Sequence, residues 1–414
     1  MCKDKLSFTM DIFDEYEKRF CEKKMSLPKR KMWQDDDRKQ VLETVKKVLR
    51  FDEKLIPEIK IHDEQQDCVD GIQIKHLLFE SWKDFYGITT LFIPDETFPR
   101  PLPLVIICPG HGKYGRLSYG YAKMALQLAK QGSYALLLEN IGQGCREKFG
   151  HWDVPETFYC GLTLQGMIIA ETMAWIKYMK SQEYIDSSKI GACGNSGGGT
   201  YTQFLAALEP SLSAVASCGY PSEYCYIFEK ERKHCDCNIL PGVMGKLEMW
   251  QVYSLFAPKP LLLDSGLNDA LIPVEYFHRN ARKVKYVYEM TGHKDNFKAV
   301  ATNTLHPWET VDIQKVSDFF ADSFGIKKMP VPDEELKLSS DDVKLEIPES
   351  AISTAQAAQN ISKIQAPENV KLWDIFKPFY NGTPINPEEI VTDVGRGDLM
   401  RVFSQFEAVL ADTI

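Results

Sequence analysis

The sequence contains no long hydrophobic run and no excess of positive charge, and these two absences argue against two broad classes of partner. The longest apolar stretches, such as "PLVIIC" and "ALLL", are far shorter than the roughly 20 residues of a membrane-spanning helix. The 49 basic residues are outnumbered by 58 acidic ones, which gives a net charge of −9. We therefore expect neither a membrane nor a nucleic acid among the partners.

Signals for secretion are also lacking. The first residues, "MCKDKLSFTMDIFDEYEKRF", carry scattered charges and contain no apolar core of the kind that a signal peptide needs. The 11 cysteines are odd in number and spread along the chain, which is typical of reduced thiols rather than of a disulfide framework. These features predict a cytoplasmic protein.

The pattern of apolar residues predicts an α/β fold. Strands expected at 57–62, 71–79 and 86–93 form an antiparallel meander, which follows two helices within 10–50. Buried-type strands such as "LPLVIIC" and "YALLLEN" then alternate with helices, and this alternation predicts a mostly parallel sheet covered on both faces.

The same pattern predicts three regions. They are an N-terminal helical extension (1–55), an α/β domain (56–326) with a cap-like insertion (220–250), and a C-terminal extension (327–414). The third region begins with a proline-rich and charged linker, and helical pieces are expected at 351–363, 370–379 and 397–411. It could serve as a packing arm, a small subdomain or the interface of a homodimer.

The segment "KIGACGNSGGGTYTQ" is the strongest functional signal. A strand ends in Gly194-Asn195-Ser196-Gly197-Gly198 and a helix follows, which is the context of a G-x-S-x-G nucleophile elbow. Glycine two residues before and two after the serine leaves room for a turn in which the serine is held in strain. The pattern predicts Ser196 as a nucleophile, with the N–H of Gly197 as one donor to an oxyanion.

A nucleophilic serine needs a base and an acid that orients the base. Asp269 follows the strand "PLLLDSG" and is the better candidate acid, because Asp264 lies within that strand. Two histidines could be the base. A helix at 275–291 and a strand at 297–303 favour His306, whereas a strand at 283–290 would favour His293. We prefer the first topology and keep His293 as the alternative.

The loop "CPGHGKYGR" after the first parallel strand is the candidate for the second oxyanion donor. Its glycines allow close approach of the backbone, so the donor is expected to be the N–H of His111 or Gly112.

With these segments the chain resembles the α/β-hydrolase superfamily, in particular the branch of acetyl xylan esterases and dienelactone hydrolases. The similar segments, "PLVIICPGHG", "ENIGQGCREKF", the elbow, "HCDCNILPG" and "LFAPKPLLLDSGLNDALIP", cover roughly 85–325. The resemblance implies an α/β-hydrolase fold, with Ser196, Asp269 and His306 as the catalytic triad. The chain departs from the pattern at "NTLHPW", where relatives often show glycines before the histidine, and this departure keeps His293 open.

The insertion contains two weaker patterns. Cys225, His234, Cys235 and Cys237 could bind zinc, but C-x-C lacks the spacing of a zinc knuckle, so we expect neither a metal nor another cofactor. Aromatic residues of this region, Tyr220, Tyr224 and Trp250 among them, could line a substrate pocket or could equally pack in the core.

The sequence therefore predicts a serine hydrolase that acts on a small-molecule carboxylic ester, for which an acetylated sugar is one candidate. Two alternatives stay open: an exopeptidase, amidase or carbon–carbon bond hydrolase on the same fold, and a non-catalytic ligand-binding scaffold.

Overall fold

A single nine-stranded sheet organises the chain. The structure, a computed structural model, describes residues 35–370 except 113, 230–234, 244–245, 307, 334–335 and 337, together with 379–380 and 383–384. The strands of the sheet are β1 (Lys60–Val69), β2 (Ile72–Glu80), β3 (Tyr86–Ile93), β4 (Leu102–Cys108), β5 (Tyr134–Leu137), β6 (Ile185–Asn195), β7 (Leu212–Cys218), β8 (Leu261–Gly266) and β9 (Phe297–Thr302). A separate antiparallel pair joins β10 (Phe379–Tyr380) to β11 (Thr383–Pro384).

The strand order is β1-β2-β3-β5-β4-β6-β7-β8-β9. The first three strands pair antiparallel, and β3 also pairs antiparallel with β5. The remaining pairs, from β5 through β4 to β9, are parallel. Strands β4, β5 and β8 are buried at every residue, which explains their continuous apolar runs. The carboxyl ends of β4, β6, β7 and β8 consequently meet at one edge of the sheet.

Helices cover both faces of the sheet. The described α-helices are α1 (Asp35–Leu49), α2 (Tyr119–Lys130), α3 (Pro155–Tyr159), α4 (Leu164–Lys180), α5 (Gly197–Leu208), α6 (Tyr224–Glu229), α7 (Met249–Ser254), α8 (Val274–Met290), α9 (Thr310–Phe324) and α10 (Thr354–Ser362). One core contains buried residues of α1, α4, α5 and α8, and a second core contains those of α2 and α9. Across the part of the chain that is described, no helix has the length and apolar content that a membrane crossing needs.

The predicted α/β architecture is confirmed, including the helix and strand that precede His306. Helix α8 occupies Val274–Met290 and β9 occupies Phe297–Thr302, so the alternative strand at 283–290 is wrong. The expected strand at 57–62 is also misplaced, because β1 occupies Lys60–Val69. Most residues of β1 are exposed, as suits a polar edge strand, and hydrophobic periodicity therefore does not reveal it.

Between α9 and α10 the described residues lack regular structure except for a 3₁₀ turn at Ser340–Asp342, as a linker would, yet they pack against the domain. Val343 and Leu345 lie against a small buried cluster on the antiparallel strands. The Ile352 N–H donates to the carbonyl of Asp84 over 3.0 Å, and the hydroxyl of Thr354 donates to the carbonyl of Gly150 over 2.8 Å. These contacts favour the packing arm among the alternatives for the extension.

Several expectations fall outside the described residues, namely the first N-terminal helix, residues 371–378 of the helix expected at 370–379, and the helix at 397–411. Phe379, the last residue of the second of these, belongs to β10 and not to a helix. The domain boundaries, a homodimer through the C-terminal extension and a cytoplasmic location stay predictions.

Candidate active site

The turn between β6 and α5 has the geometry of a nucleophile elbow. Ser196 has φ 59° and ψ −121°, a conformation that non-glycine residues rarely adopt and that costs about 1–3 kcal/mol. A Cβ on Gly194 would lie 2.6 Å from the carbonyl oxygen of Cys108, and a Cβ on Gly198 would overlap that same oxygen. Glycine at both positions is therefore a steric requirement of the turn.

The loop after β4 lies directly against the elbow. A Cβ on Gly197 would stand 2.7 Å from Cε1 of His111, and a Cβ on Gly110 would stand 3.1 Å from the Gly197 nitrogen. The hydroxyl of Tyr121 links the two segments, because it accepts from the Gly110 N–H over 2.8 Å and donates to the Asn195 carbonyl over 3.4 Å. Gly197 is the first residue of α5, so its N–H has no partner within the helix.

The two candidate donors in this loop differ in their hydrogen bonds. The N–H of Gly112 donates to Oε1 of Gln143 over 3.4 Å. The N–H of His111 donates to no acceptor within the described part of the chain. Of the two, His111 therefore has the backbone donor that a bound oxyanion could use.

Asp269 and His306 form a hydrogen-bonded pair. Oδ2 of Asp269 lies 2.7 Å from Nδ1 of His306, and Oδ1 accepts from the N–H groups of Leu271 and Ile272 over 2.7 and 3.1 Å. A carboxylate only accepts, so Nδ1 carries a proton, which gives neutral His306 its lone pair at Nε2. Nε2 is buried and has no hydrogen-bond partner among the described residues.

The other predicted acid and base candidates lie elsewhere. Asp264 is fully buried in β8, and its Oδ1 is 2.6 Å from Nζ of Lys315. His293 is exposed between α8 and β9, before the first residue of that strand. Because β8 and β9 are parallel, His293 stands at the edge of the sheet opposite to the end of β8, from which Asp269 follows.

Buried ion pairs fix the loops after β4 and β5. Nη1 of Arg116 is 2.7 Å from Oε2 of Glu139, and Nη1 of Arg146 is 2.6 Å from Oε2 of Glu171. Burial raises the pKa of Glu139, although the Arg116 guanidinium opposes this shift. All four side chains are buried, so loss of one partner would leave an uncompensated buried charge.

The three aromatic residues that were predicted to line a pocket differ in burial. Tyr220 and Tyr224 are buried in the larger core, and the hydroxyl of Tyr224 donates to Oε1 of Gln203 over 3.3 Å. These contacts favour the core-packing alternative for the two tyrosines. Trp250 is half-buried and packs against the same core.

A cleft of about 520 Å³ opens beside the loop of His111. The imidazoles of His111 and His151 form part of its wall, together with Gln143, Glu147 and Trp152. Trp152, one of the lining residues, is 40% exposed, so an aromatic side chain lies beside polar groups.

Two cysteines of the insertion meet two histidines at this cleft. Sγ of Cys235 and of Cys237 are 2.6 Å apart, and Sγ of Cys237 is 3.5 Å from Nε2 of His111. Burial opposes ionisation of Cys235, but hydrogen bonds from Cys237 and attraction to His111 lower its pKa well below the usual range. His234 and the side chain of Cys225, which completed the sequence-based cluster, lie outside the described residues.

Sequence reasoning missed the participation of His151 and of the His111 side chain. His151 follows β5, whereas the cysteines follow β7, and no spacing rule connects the two segments.

The comparisons with known proteins agree with the fold. A profile of the prolyl oligopeptidase family matches residues 163–279, well under half of the chain. YtaP of Bacillus subtilis (strain 168), which is described as a hydrolase, is 24% identical over 239 residues, or 54% of this chain and 79% of that protein. The structure of Methylesterase BT1017 is similar with a TM-score of 0.62 and 20% identity, over 78% of this chain and 73% of that one. Acetyl Xylan Esterase 1 from Thermoanaerobacterium sp. JW/SL YS485 is similar with a TM-score of 0.51 and 14% identity, over 71% of this chain and 96% of that one.

The mostly parallel sheet and the elbow after its central strand define an α/β-hydrolase fold. The chain has this fold, and the family profile and the likeness to YtaP support a hydrolase.

Proposed function

We propose that the protein is a serine hydrolase that cleaves a small carboxylic ester through an acyl-enzyme. The observation that carries this proposal is the 2.7 Å contact between Asp269 and His306, which follow β8 and β9 at the edge of the sheet where the elbow of Ser196 stands. Serine, acid and histidine occur in the chain order that this fold uses.

In the proposed reaction Nε2 of His306 takes the proton of the Ser196 hydroxyl while Oγ attacks the ester carbonyl carbon. Asp269 holds the proton on Nδ1 and stabilises the imidazolium that forms. The N–H groups of Gly197 and His111 receive the negative charge of the carbonyl oxygen. The imidazolium then protonates the departing alcohol, and the same histidine activates the water that hydrolyses the acyl-enzyme.

The cleft beside His111 supports a sugar ester as the substrate class. Trp152 offers an exposed aromatic face, and Gln143 and Glu147 offer hydrogen-bonding groups that sugar hydroxyls could use. The names of similar structures, a methylesterase and an acetyl xylan esterase, point in the same direction. An amidase or peptidase is the second candidate, favoured by the match to the prolyl oligopeptidase family.

The test compares initial rates on p-nitrophenyl acetate, on an acetylated xylo-oligosaccharide and on aminoacyl p-nitroanilides. Ester cleavage by the wild type, with a loss of at least about 10³-fold in Ser196→Ala and His306→Ala, is the expected result. His293→Ala is the matched control and keeps its rate. Cleavage of the anilides alone would show that the protein is a peptidase and not an esterase. A wild type that is inert on every substrate and unlabelled by a fluorophosphonate probe would overturn the proposal.

A further inference from the structure

Four side chains with metal-binding atoms converge beside the elbow. His111 comes from the loop after β4, His151 from the loop after β5, and Cys235 and Cys237 from the insertion after β7. One ligand atom of each residue lies within 4.8 Å of the ligand atoms of the other three. Three segments that are distant in the sequence thus meet at one point, and the fold of the chain brings them together.

The hydrogen bond of His151 leaves a lone pair directed into this cluster. Nδ1 of His151 is 2.6 Å from the carbonyl oxygen of Ile141, and a carbonyl only accepts, so Nδ1 carries the proton. In the neutral ring Nε2 is therefore a lone-pair donor, and it lies 2.9 Å from Nε2 of His111. A backbone carbonyl that accepts from the outer N–H of a histidine is one of the usual second partners of a metal-bound imidazole.

The sulphur atoms have a similar outer partner. Nδ2 of Asn238 donates to Sγ of Cys235 over 3.3 Å and lies 3.9 Å from Sγ of Cys237. Oδ1 of Asn238 in turn accepts from the hydroxyl of Tyr220 over 3.1 Å, which fixes the orientation of the amide. Cys235, Cys237 and His151 are at most 2% exposed, so the cluster is closed to bulk solvent on the side of the insertion.

We propose that Nε2 of His111, Nε2 of His151, Sγ of Cys235 and Sγ of Cys237 bind one Zn²⁺ ion in a tetrahedral Cys₂His₂ site. Two thiolates and two neutral imidazoles balance the charge of the ion, which suits a buried position. Four protein ligands fill a tetrahedral shell, so the site is structural and not hydrolytic. This proposal replaces the sequence-based expectation that the chain holds no metal.

Small shifts of the side chains would bring their ligand atoms to the separations of such a site. With Zn–N of about 2.0 Å and Zn–S of about 2.3 Å, the edges of a tetrahedron measure roughly 3.3–3.8 Å. The contact of Cys237 with His111, at 3.5 Å, falls in this range. Around the ion the two sulphur atoms, now 2.6 Å apart, would separate by about 1.2 Å, and the two nitrogen atoms, now 2.9 Å apart, by about 0.4 Å.

The metal would link the loop after β4, which contains His111, to the insertion after β7. The effect of this link on catalysis rests on the proposed function. The imidazole of His111 packs on Gly197, and its backbone N–H is the proposed oxyanion donor. An ion that fixes the imidazole fixes that donor as well. His151 is then a positioning residue, and loss of the metal in His151→Ala should lower kcat by about 10-fold or more with little change in KM.

The experiment measures metal content independently of activity. The full chain is purified without a metal-affinity tag and with a phosphine reductant, and zinc per chain is determined by mass spectrometry of the elements. We expect about one zinc per chain in the wild type and in Cys68→Ser, an exposed cysteine outside the cluster, and less than about a tenth in Cys237→Ser and His151→Ala. Wild type loaded with Co²⁺ should show thiolate-to-cobalt charge transfer and strong tetrahedral d–d bands.

Three results would overturn the proposal. They are a reduced wild type that takes up neither Zn²⁺ nor Co²⁺, full metal content in the Cys235→Ser/Cys237→Ser double variant, and a mass lowered by two hydrogens that maps to a Cys235–Cys237 disulfide in freshly purified protein. The cobalt spectrum of the wild type decides the matter even if the variants fail to fold. Zinc without esterase activity would reject the proposed function alone, whereas esterase activity without zinc would reject the metal site alone.

Discussion

A methyl group added at Gly110 tests whether the loop after β4 supplies the oxyanion donor. A Cβ at this position would lie 2.6 Å from the Asn195 carbonyl oxygen and 2.7 Å from the Tyr121 hydroxyl oxygen. Both distances are at least about half an ångström shorter than an ordinary carbon–oxygen contact, so the loop must move away from the elbow. The backbone of Asn195 precedes the nucleophile and cannot yield without disturbing it.

The displacement predicts a selective loss of catalysis in Gly110→Ala. Removal of one oxyanion donor costs about 3–4 kcal/mol, and a partial displacement should cost part of this, so we expect kcat to fall by about 10- to 100-fold with KM nearly unchanged. Overpacking should also lower the free energy of unfolding by about 1–3 kcal/mol.

Gly112→Ala is the matched comparison in the same loop. Its Cβ would meet only Oγ of Ser118, at 3.2 Å, and a serine side chain can rotate away. Its N–H already bonds to Gln143, so the variant should stay within about three-fold of the wild-type rate. The assays are initial rates on p-nitrophenyl acetate and urea unfolding followed by fluorescence. Wild-type kcat in a folded Gly110→Ala variant, or an equal loss in both variants, would refute the reasoning.

Three further predictions concern single groups. In Asp269→Asn the amide no longer holds the proton on Nδ1 of His306, so kcat should fall by about 10³- to 10⁴-fold. The circular dichroism spectrum should stay unchanged, and a loss of kcat below about 10-fold would argue for another acid. Ser196→Gly should raise the free energy of unfolding by about 1 kcal/mol, because glycine adopts φ 59° without strain, and Ser196→Ala, the control, should not. Burial raises the pKa of Asp264 to about 7 although Lys315 opposes the shift. Because this folded pKa lies above the unfolded value near 4, the free energy of unfolding should fall as the pH rises from about 4 towards 7, by up to roughly 1.4 kcal/mol per pH unit. Asp264→Asn should flatten this slope, which urea unfolding between about pH 5 and 7 measures.

The elbow and its sheet are the parts of the protein that sequence reasoning reached most fully. Strands β4 and β7 lie where their apolar runs predict, and Gly194 and Gly198 lie where the turn excludes a side chain. These features could be predicted because hydrophobic burial and steric exclusion act on neighbouring residues. The pairing of Asp269 with His306 was expected from chain order, and the structure places the two side chains in contact.

Other features depend on contacts between distant segments. The polar edge strand β1 is held by its ladder to β2 and has little buried apolar surface of its own. The arm after α9 packs through Val343, Leu345 and Ile347, which alternate with the exposed Lys344 and Glu346 although the segment forms no strand. Hydrophobic periodicity does not reveal β1 and does not show where the arm packs, because both depend on partners elsewhere in the chain.

The sequence by itself therefore determined the fold class, the elbow at Ser196 and the candidate partners Asp269 and His306, because these depend on short patterns with a local physical cause. Only the tertiary structure decided that Tyr220 and Tyr224 pack in the core and that two cysteines of the insertion meet His111 and His151. His111 and Cys237 stand 126 positions apart, and loops that far apart meet only after the parallel strands bring their carboxyl ends to one edge of the sheet.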